Sequence, residues 1–398
     1  MKHDRGIVNW AELPKEMCAS IGKHLDNGID VLRFRSVCKS WRSSIPPVQN
    51  TVPLPLPLEF PGPRAFTTVR LSQPKIYHLQ PPLQDYQTPT SNPSPSQGWL
   101  VKLEESLFSG KMRPLDPISN CQIHDFPPAS AKALNLLDFR VAELIRSYAL
   151  EFFFHVGFDF VFAVKVAVLS HNSWWTNNFA QCAIMYAGLL GFWKLGETKW
   201  SFIDGEKFFY HDVVSYNGKF YAIDKLGSAY WIDPSLNAIQ FSPPLPDLDG
   251  LNRKQKHLIE SCGDLYLVDR FLDKERLAKD SDPDLDGYVD DDHFLGYFVN
   301  YNLDARAFSF KVYKLEMEQD CRRWVEVKKL GDRAFFLCSD CSFSISAKEF
   351  GGFKRNCIYF SNASVMRSAS YKCQVFDLDD GTISSLDYSE FFCPPSCL

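Results

Sequence analysis

The sequence lacks most of the features that mark a catalytic, secreted or membrane-spanning chain. Its first ten residues, MKHDRGIVNW, hold no apolar run of the kind a secretory leader needs. No long basic tract follows residue 50 and the net charge is −5, so duplex nucleic acid, bound mainly through phosphate neutralisation, is not an expected partner. The longest apolar stretch, residues 150–169, carries Glu151, His155, Asp159 and Lys165. Each central charge would cost about 2.5–3.5 kcal/mol in a bilayer. Read with period two, Phe158, Phe160, Phe162, Val164, Val166 and Val168 share one face, which fits a buried strand.

Metal and nucleophile patterns are also scarce. The 12 cysteines are scattered through 398 residues and are expected to be reduced thiols of the nucleus or cytoplasm. Cys338 and Cys341 form a C-x-x-C pair without a second pair at zinc spacing, so a core role is expected. The tail CPPSCL has Pro395 where a prenylation box needs cysteine. No glycine-rich phosphate loop follows a strand, and no Ser–His–Asp order appears. DPDLDG (282–287) matches the first half of a calcium loop, but its twelfth position is His293, not a bidentate Glu. His124-Asp125 and His211-Asp212 resemble phosphohydrolase pairs but sit in β-like or loop context. No cofactor or metal is expected.

What is present divides in three. Residues 7–45 read as helices. Pro14 suits a first helical position, Met17, Ile21 and Leu25 recur at i, i+4 and i+8, and Asp30 could cap the next run. Val31, Phe34, Val37, Cys38 and Trp41 line one face, interleaved with Arg33, Arg35, Lys39 and Arg42. A bend near Ser36 would give a third helix. Met17, Ile21, Leu25 and Phe34 are the expected internal core, and so small a unit buries too little to stand without a partner. Residues 46–98 are dense in proline and read as a stiff spacer with short strands such as Phe66 to Leu71.

From 99 to 398 short β-like runs recur. GKFYAID (218–224) returns as GDLYLVD (263–269), setting Gly218, Tyr221 and Asp224 against Gly263, Tyr266 and Asp269 at an offset of 45 residues. Lys194-Leu195 and Trp200 are echoed by Lys314-Leu315 and Trp324, and an apolar–Asp pair recurs at Leu115-Asp116, Ile232-Asp233 and Phe376-Asp377. A period near 45 is that of a four-stranded propeller blade. The expected fold is mainly β: a small N-terminal three-helix unit and a large β-propeller-like domain of six or seven degenerate blades. Residues 135–148 also fit a helix, which the sequence alone leaves open.

LPKEM (13–17) with VLRFRSVCKSWRS (31–43) resembles an F-box, the module that docks substrate adaptors on Skp1 in cullin–RING ubiquitin ligases. NGKFYAIDKLG, DLYLVDRF, RRWVEVKKLGDRAFFL and NCIYFSN are similar to the plant F-box proteins that carry the domain of unknown function 295, a KIB-type β-propeller, and are Skp1-interacting-partner-like. The resemblance implies a non-catalytic adaptor of an SCF ligase, with Skp1 docking through Leu13, Pro14, Leu32, Val37, Cys38, Trp41 and Arg42 and with cullin, RING and target proteins as further partners. Basic residues of the same helices would steer toward an acidic adaptor. Candidates for target binding are Asp284, Asp286, Asp290, Asp291 and Asp292 of the acidic insert 280–292. The competing readings are a propeller hydrolase using Asp204, Asp212 and Asp233, and an F-box module that works without cullin.

Overall fold

The computed structural model describes residues 10–25, 28–46, 66–80, 98–105, 112–120, 122–123, 139–155, 159–170, 179–186, 188–194, 201–203, 210–246, 254–273, 306–318, 321–350, 352–362 and 373–386. They fall into two compact units, one holding the N-terminal helices and the other nearly all of the β-sheet residues. No helix among the described residues is long and apolar enough to cross a membrane.

The helical unit opens with a 3₁₀ turn, Trp10–Glu12, followed by α1 (Lys15–Gly22), α2 (Gly28–Val37) and α3 (Lys39–Ser44). Pro14 stands just before α1, and its carbonyl accepts the Cys18 N–H at 3.0 Å. The break between α2 and α3 falls at Cys38, whose backbone is extended (φ −161°, ψ 176°), two residues past the expected bend. Asp30 does not cap α2. It lies inside the first turn, where a carboxylate still favours the positive end of the helix, and pairs with Arg33 at 3.2 Å.

The remaining described residues form a β-propeller arrangement. Sheet I has the strand order Met112–Leu115, Trp99–Glu105, Lys75–Gln80, Arg140–Arg146. Sheet II runs Phe66–Ser72, Ala149–His155, Asp159–Ser170, Phe179–Tyr186, Leu189–Lys194, Ser201–Phe202. Sheet III is Tyr210–Tyr216, Lys219–Asp224, Ala229–Ile232, Ala238–Gln240, and sheet IV is Lys254–Ser261, Asp264–Asp273, Arg306–Glu318, Cys321–Val327. Sheet V is Ser342–Ser346, Arg333–Leu337, Cys357–Ser361, Cys373–Asp377, Ile383–Ser385. Sheets III and IV are antiparallel meanders, whereas sheet V contains one parallel pair, Arg333–Leu337 with Cys357–Ser361.

Apolar faces pack in succession around the molecule. Ile76 and Leu100 of sheet I meet Phe336, Phe343 and Tyr359 of sheet V. Phe335 and Phe360 on the other face of sheet V meet Ile259, Val268 and Phe310 of sheet IV. Leu258, Leu267 and Trp324 of sheet IV meet Tyr221 and Ile223 of sheet III. Val213 and Phe220 of sheet III close on Leu190 and Phe192 of sheet II. One four-stranded sheet cannot cover both of its faces, and succession solves that for sheets III, IV and V. The strands Tyr210–Tyr216, Lys254–Ser261 and Ser342–Ser346, each at the edge of its sheet, lie side by side.

The recurring residues are the punctuation of this arrangement. Asn217-Gly218 (φ 46° and 71°) and Cys262-Gly263 (φ 54° and 82°) close two-residue hairpins at the same point of sheets III and IV. Positive φ at both central residues gives the turn a twist that matches the strands, which is why glycine recurs there. Asp116, Asp233 and Asp377 of the apolar–Asp echo each accept a backbone N–H two residues ahead, from Ile118 (3.0 Å), Ser235 (2.8 Å) and Asp379 (2.9 Å). All three are Asx turns.

Three sequence readings change. Residues 135–148 hold a strand, Arg140–Arg146, because it pairs with Lys75–Gln80 and buries Val141 there. The single long strand expected in 150–169 is two, Ala149–His155 and Asp159–Ser170, paired antiparallel. The short strand expected at Phe66 to Leu71 is present as Phe66–Ser72, and a second one not foreseen, Lys75–Gln80, is flanked on both sides in sheet I and almost wholly buried. The prolines that mark this stretch stand at 74, 81 and 82, outside the strands.

Candidate docking surface of the helical unit

The core of the helical unit is Cys18, Val31, Phe34 and Ile45, with Leu13, Leu25 and Trp41 packed at its edge. Gly22 lets α1 approach closely, since a Cβ there would stand 2.4 Å from Ile45 Cγ2. The buried stripe of α1 is therefore Cys18 and Gly22. The expected stripe, Met17 and Ile21, points outward, 56% and 39% exposed. Trp10 (58%) and Val37 (52%) are exposed as well. Large apolar side chains left in water on so small a unit are the candidate docking residues.

The docking set predicted from sequence divides accordingly. Pro14 and Val37 are exposed, Leu13 and Cys38 half-buried, and Leu32 lies in α2 with its side chain outside the described residues. Trp41 serves the unit itself: its ring centroid is 4.5 Å from that of Phe34, and its Nε1 donates to Trp10 O at 2.9 Å. Arg42 donates from Nε to Arg35 O at 3.0 Å, while Arg35 Nη1 donates to Arg42 O at 2.8 Å and to Ile45 O. This reciprocal latch fixes α3 against α2. Of the basic residues expected to steer a partner, Arg35 and Arg42 are engaged here and Arg33 pairs with Asp30, which leaves Lys39 exposed.

Of the proposed catalytic carboxylates, the two that are described, Asp212 and Asp233, serve separate structural roles. Asp212 is buried, paired with Lys165, and accepts N–H bonds from Val213 and Leu258, both at 2.8 Å. Asp233 is half-buried in its hairpin turn and accepts backbone N–H bonds from Ser235 and Asn237. Cys338 and Cys341 bracket the turn between two strands of sheet V, with Cys338 N–H donating to Cys341 O at 2.9 Å. Burial pushes the Cys338 thiol well above its usual range. Asp204, the pair His124-Asp125, and the acidic insert with Asp284, Asp286, Asp290, Asp291 and Asp292 lie outside the described residues.

The sequence of a KIB1-4 β-propeller family matches residues 68–378, most of the chain and every sheet described above. The chain belongs to the KIB1-4 β-propeller family. Relatives of this KIB-family chain extend the likeness through the helices. F-box protein SKIP23 of Arabidopsis thaliana is 30% identical over 98% of the chain and 95% of its own length. F-box protein At4g35733 is 30% identical over 96% and 95%, and putative F-box protein At1g65770 is 29% identical over 98% of both, each from the same plant. The start of the family match at residue 68 agrees with strand Phe66–Ser72 belonging to the sheets.

Proposed function

We infer that this chain is the substrate-recognition adaptor of an SCF-type ubiquitin ligase, working without catalytic residues of its own. The observation that carries the reading is a helical unit whose Trp10, Met17, Ile21 and Val37 stand in water, in a chain whose near-full-length relatives are F-box proteins. The unit docks a Skp1-type adaptor through the exposed residues of the docking set, Pro14 and Val37, joined by Met17 and Ile21. Leu13, Cys38 and Trp41 back that surface, and Arg42 holds α3 in place behind it. Skp1 brings cullin and RING subunits, and the β-propeller holds the target near the charged conjugating enzyme, acting by effective concentration. Such a complex works in the nucleus or cytoplasm.

The hydrolase reading has no support in the described carboxylates, because Asp212 and Asp233 are occupied separately in structural roles. Size-exclusion chromatography of the full chain with a plant Skp1-type adaptor and a cullin–RING pair tests the assembly. One co-eluting species that forms only when Skp1 is present is expected. Elution of the chain apart from Skp1 would refute it.

A further inference from the structure

Arg270 sits at the junction of sheets IV and V, and its hydrogen-bond partners among the described residues are neutral. Its Nη2 donates to Ser361 O at 2.9 Å and to Asn362 Oδ1 at 2.8 Å, and the guanidinium lies 5.4 Å above the Phe360 ring. Its Nε is closed off from water and has no hydrogen-bond partner among the described residues. A guanidinium is costly to remove from water unless an anion meets it. Here burial draws its pKa down to about 10.

A second side chain nearby is in the same position. Gln255 is the register partner of Arg270, and His257, two residues along the same face of that strand, is its diagonal neighbour. The Nε2 of His257 also lacks a partner among the described residues. Burial first, then the charges of Arg270, Lys165 and His211, hold its pKa well below the usual range. Nitrogen-bearing side chains from sheets II, III and IV thus gather here. Asp212, the carboxylate among them, is already bound to Lys165 and to two backbone N–H groups. Arg270 and His257 are each half-buried as whole residues.

We propose that Arg270 and His257, with Lys165 and His211 beside them, form a binding site for a small oxyanion, the phosphate group of a small molecule or free phosphate. With both Nη2 protons taken by Ser361 O and Asn362 Oδ1, the Arg270 Nε–H would donate to one oxyanion oxygen and the His257 imidazole to another. The closeness of the Phe360 ring and of buried Val268, the register partner of His257, limits the occupant to a compact group.

The full chain is titrated with sodium phosphate at pH 7 and ionic strength fixed by sodium chloride, following the thermal midpoint and the phosphorus NMR line width. The midpoint should rise saturably by about 3 °C. Arg270→Lys should bind about tenfold more weakly, and Arg270→Gln should lose the response. Arg323→Gln, which removes an exposed arginine paired with Glu316, should keep it. Should Arg270→Gln fail to fold, the His257 imidazole resonances of the native chain serve instead and should shift saturably with phosphate. Glycerol 3-phosphate, run beside inorganic phosphate, separates an ester from the free ion, and saturable binding of either supports the site. A response equal to that of chloride, or one that survives in folded Arg270→Gln, overturns it.

Discussion

Lys102 and Asp340, 238 residues apart, form a wholly buried ion pair in which Nζ lies 2.7 and 2.8 Å from the two carboxylate oxygens. Lys102 belongs to sheet I, built early in the chain, and Asp340 to the turn between the first two strands of sheet V. Ser147 Oγ also donates to Asp340 at 2.7 Å, and Ser339 N–H donates to Ile118 O at 2.9 Å. The pair therefore pins the last sheet to the first, beside an apolar interface that does the same.

Removing one partner of a buried pair leaves an uncompensated charge and costs about 3–5 kcal/mol. Asp340→Ala should lower stability by that amount in urea denaturation. Lys102→Met with Asp340→Leu should cost less than Asp340→Ala alone, since no charge is then left unmet. A double variant less stable than the single one would show that geometry, not charge, holds the junction.

His78 gives an acid-sensitivity prediction. Its ring is buried between Phe350 and Phe353, neither ring nitrogen has a hydrogen-bond partner among the described residues, and burial lowers its pKa to about 4. The folded state holds this imidazole neutral, whereas the unfolded chain takes up a proton below about 6.5. The contribution is full above pH 6.5 and lost as pH falls toward 4, about 3 kcal/mol in all. The stability of His78→Leu should fall less than that of the native chain between pH 7 and 4.5. Parallel pH profiles would show that His78 does not titrate in this window.

Truncation follows from the strand order. A chain that starts at Ser96 loses Lys75–Gln80, which pairs on both sides in sheet I, and Phe66–Ser72, which pairs with Ala149–His155. A chain starting at Pro55 keeps both. The longer one should unfold cooperatively by circular dichroism and the shorter one should not. Cooperative unfolding of both would place these strands outside the folding unit.

The hairpin turns offer a smaller test. Cys262 holds a left-handed conformation that Asn217 occupies at the same position in sheet III. Cys262→Asn should raise stability by about 0.5 kcal/mol, because asparagine tolerates that region better. Gly263→Val should lower it by more than about 1 kcal/mol, because valine is strained at φ 82°. A stabilising valine would contradict the turn assignment.

The parts of this fold legible in sequence are those where local geometry demands a particular residue. Gly218 and Gly263 are needed for the hairpins, and Asp116, Asp233 and Asp377 for their Asx turns, so the repeat shows through weak similarity. The α1 face was not legible. Met17 and Ile21 have the same i, i+4 spacing as Cys18 and Gly22, and spacing cannot say which stripe is buried. The deciding contact, Gly22 against Ile45, comes from beyond α3. Arg35 and Arg42 read as steering charges because their acceptors are backbone carbonyls, which leave no trace in sequence. Lys102 and Asp340 share no local pattern, and the strand Arg140–Arg146 is fixed by a neighbour about 60 residues away.

The central claim, that the exposed apolar side chains of the helical unit dock a Skp1-type adaptor, is tested most directly by an affinity measurement on Met17→Asp with Val37→Asp. Both residues lie outside the Cys18–Val31–Phe34–Ile45 core, so the variant should stay folded, whereas Trp41→Ala would also remove the packing on Phe34. Isothermal titration calorimetry of the full chain against a plant Skp1-type adaptor should show at least about a hundredfold loss of affinity, as expected when a charge enters an apolar interface. An unchanged dissociation constant, with the thermal midpoint of the variant preserved, would contradict the account.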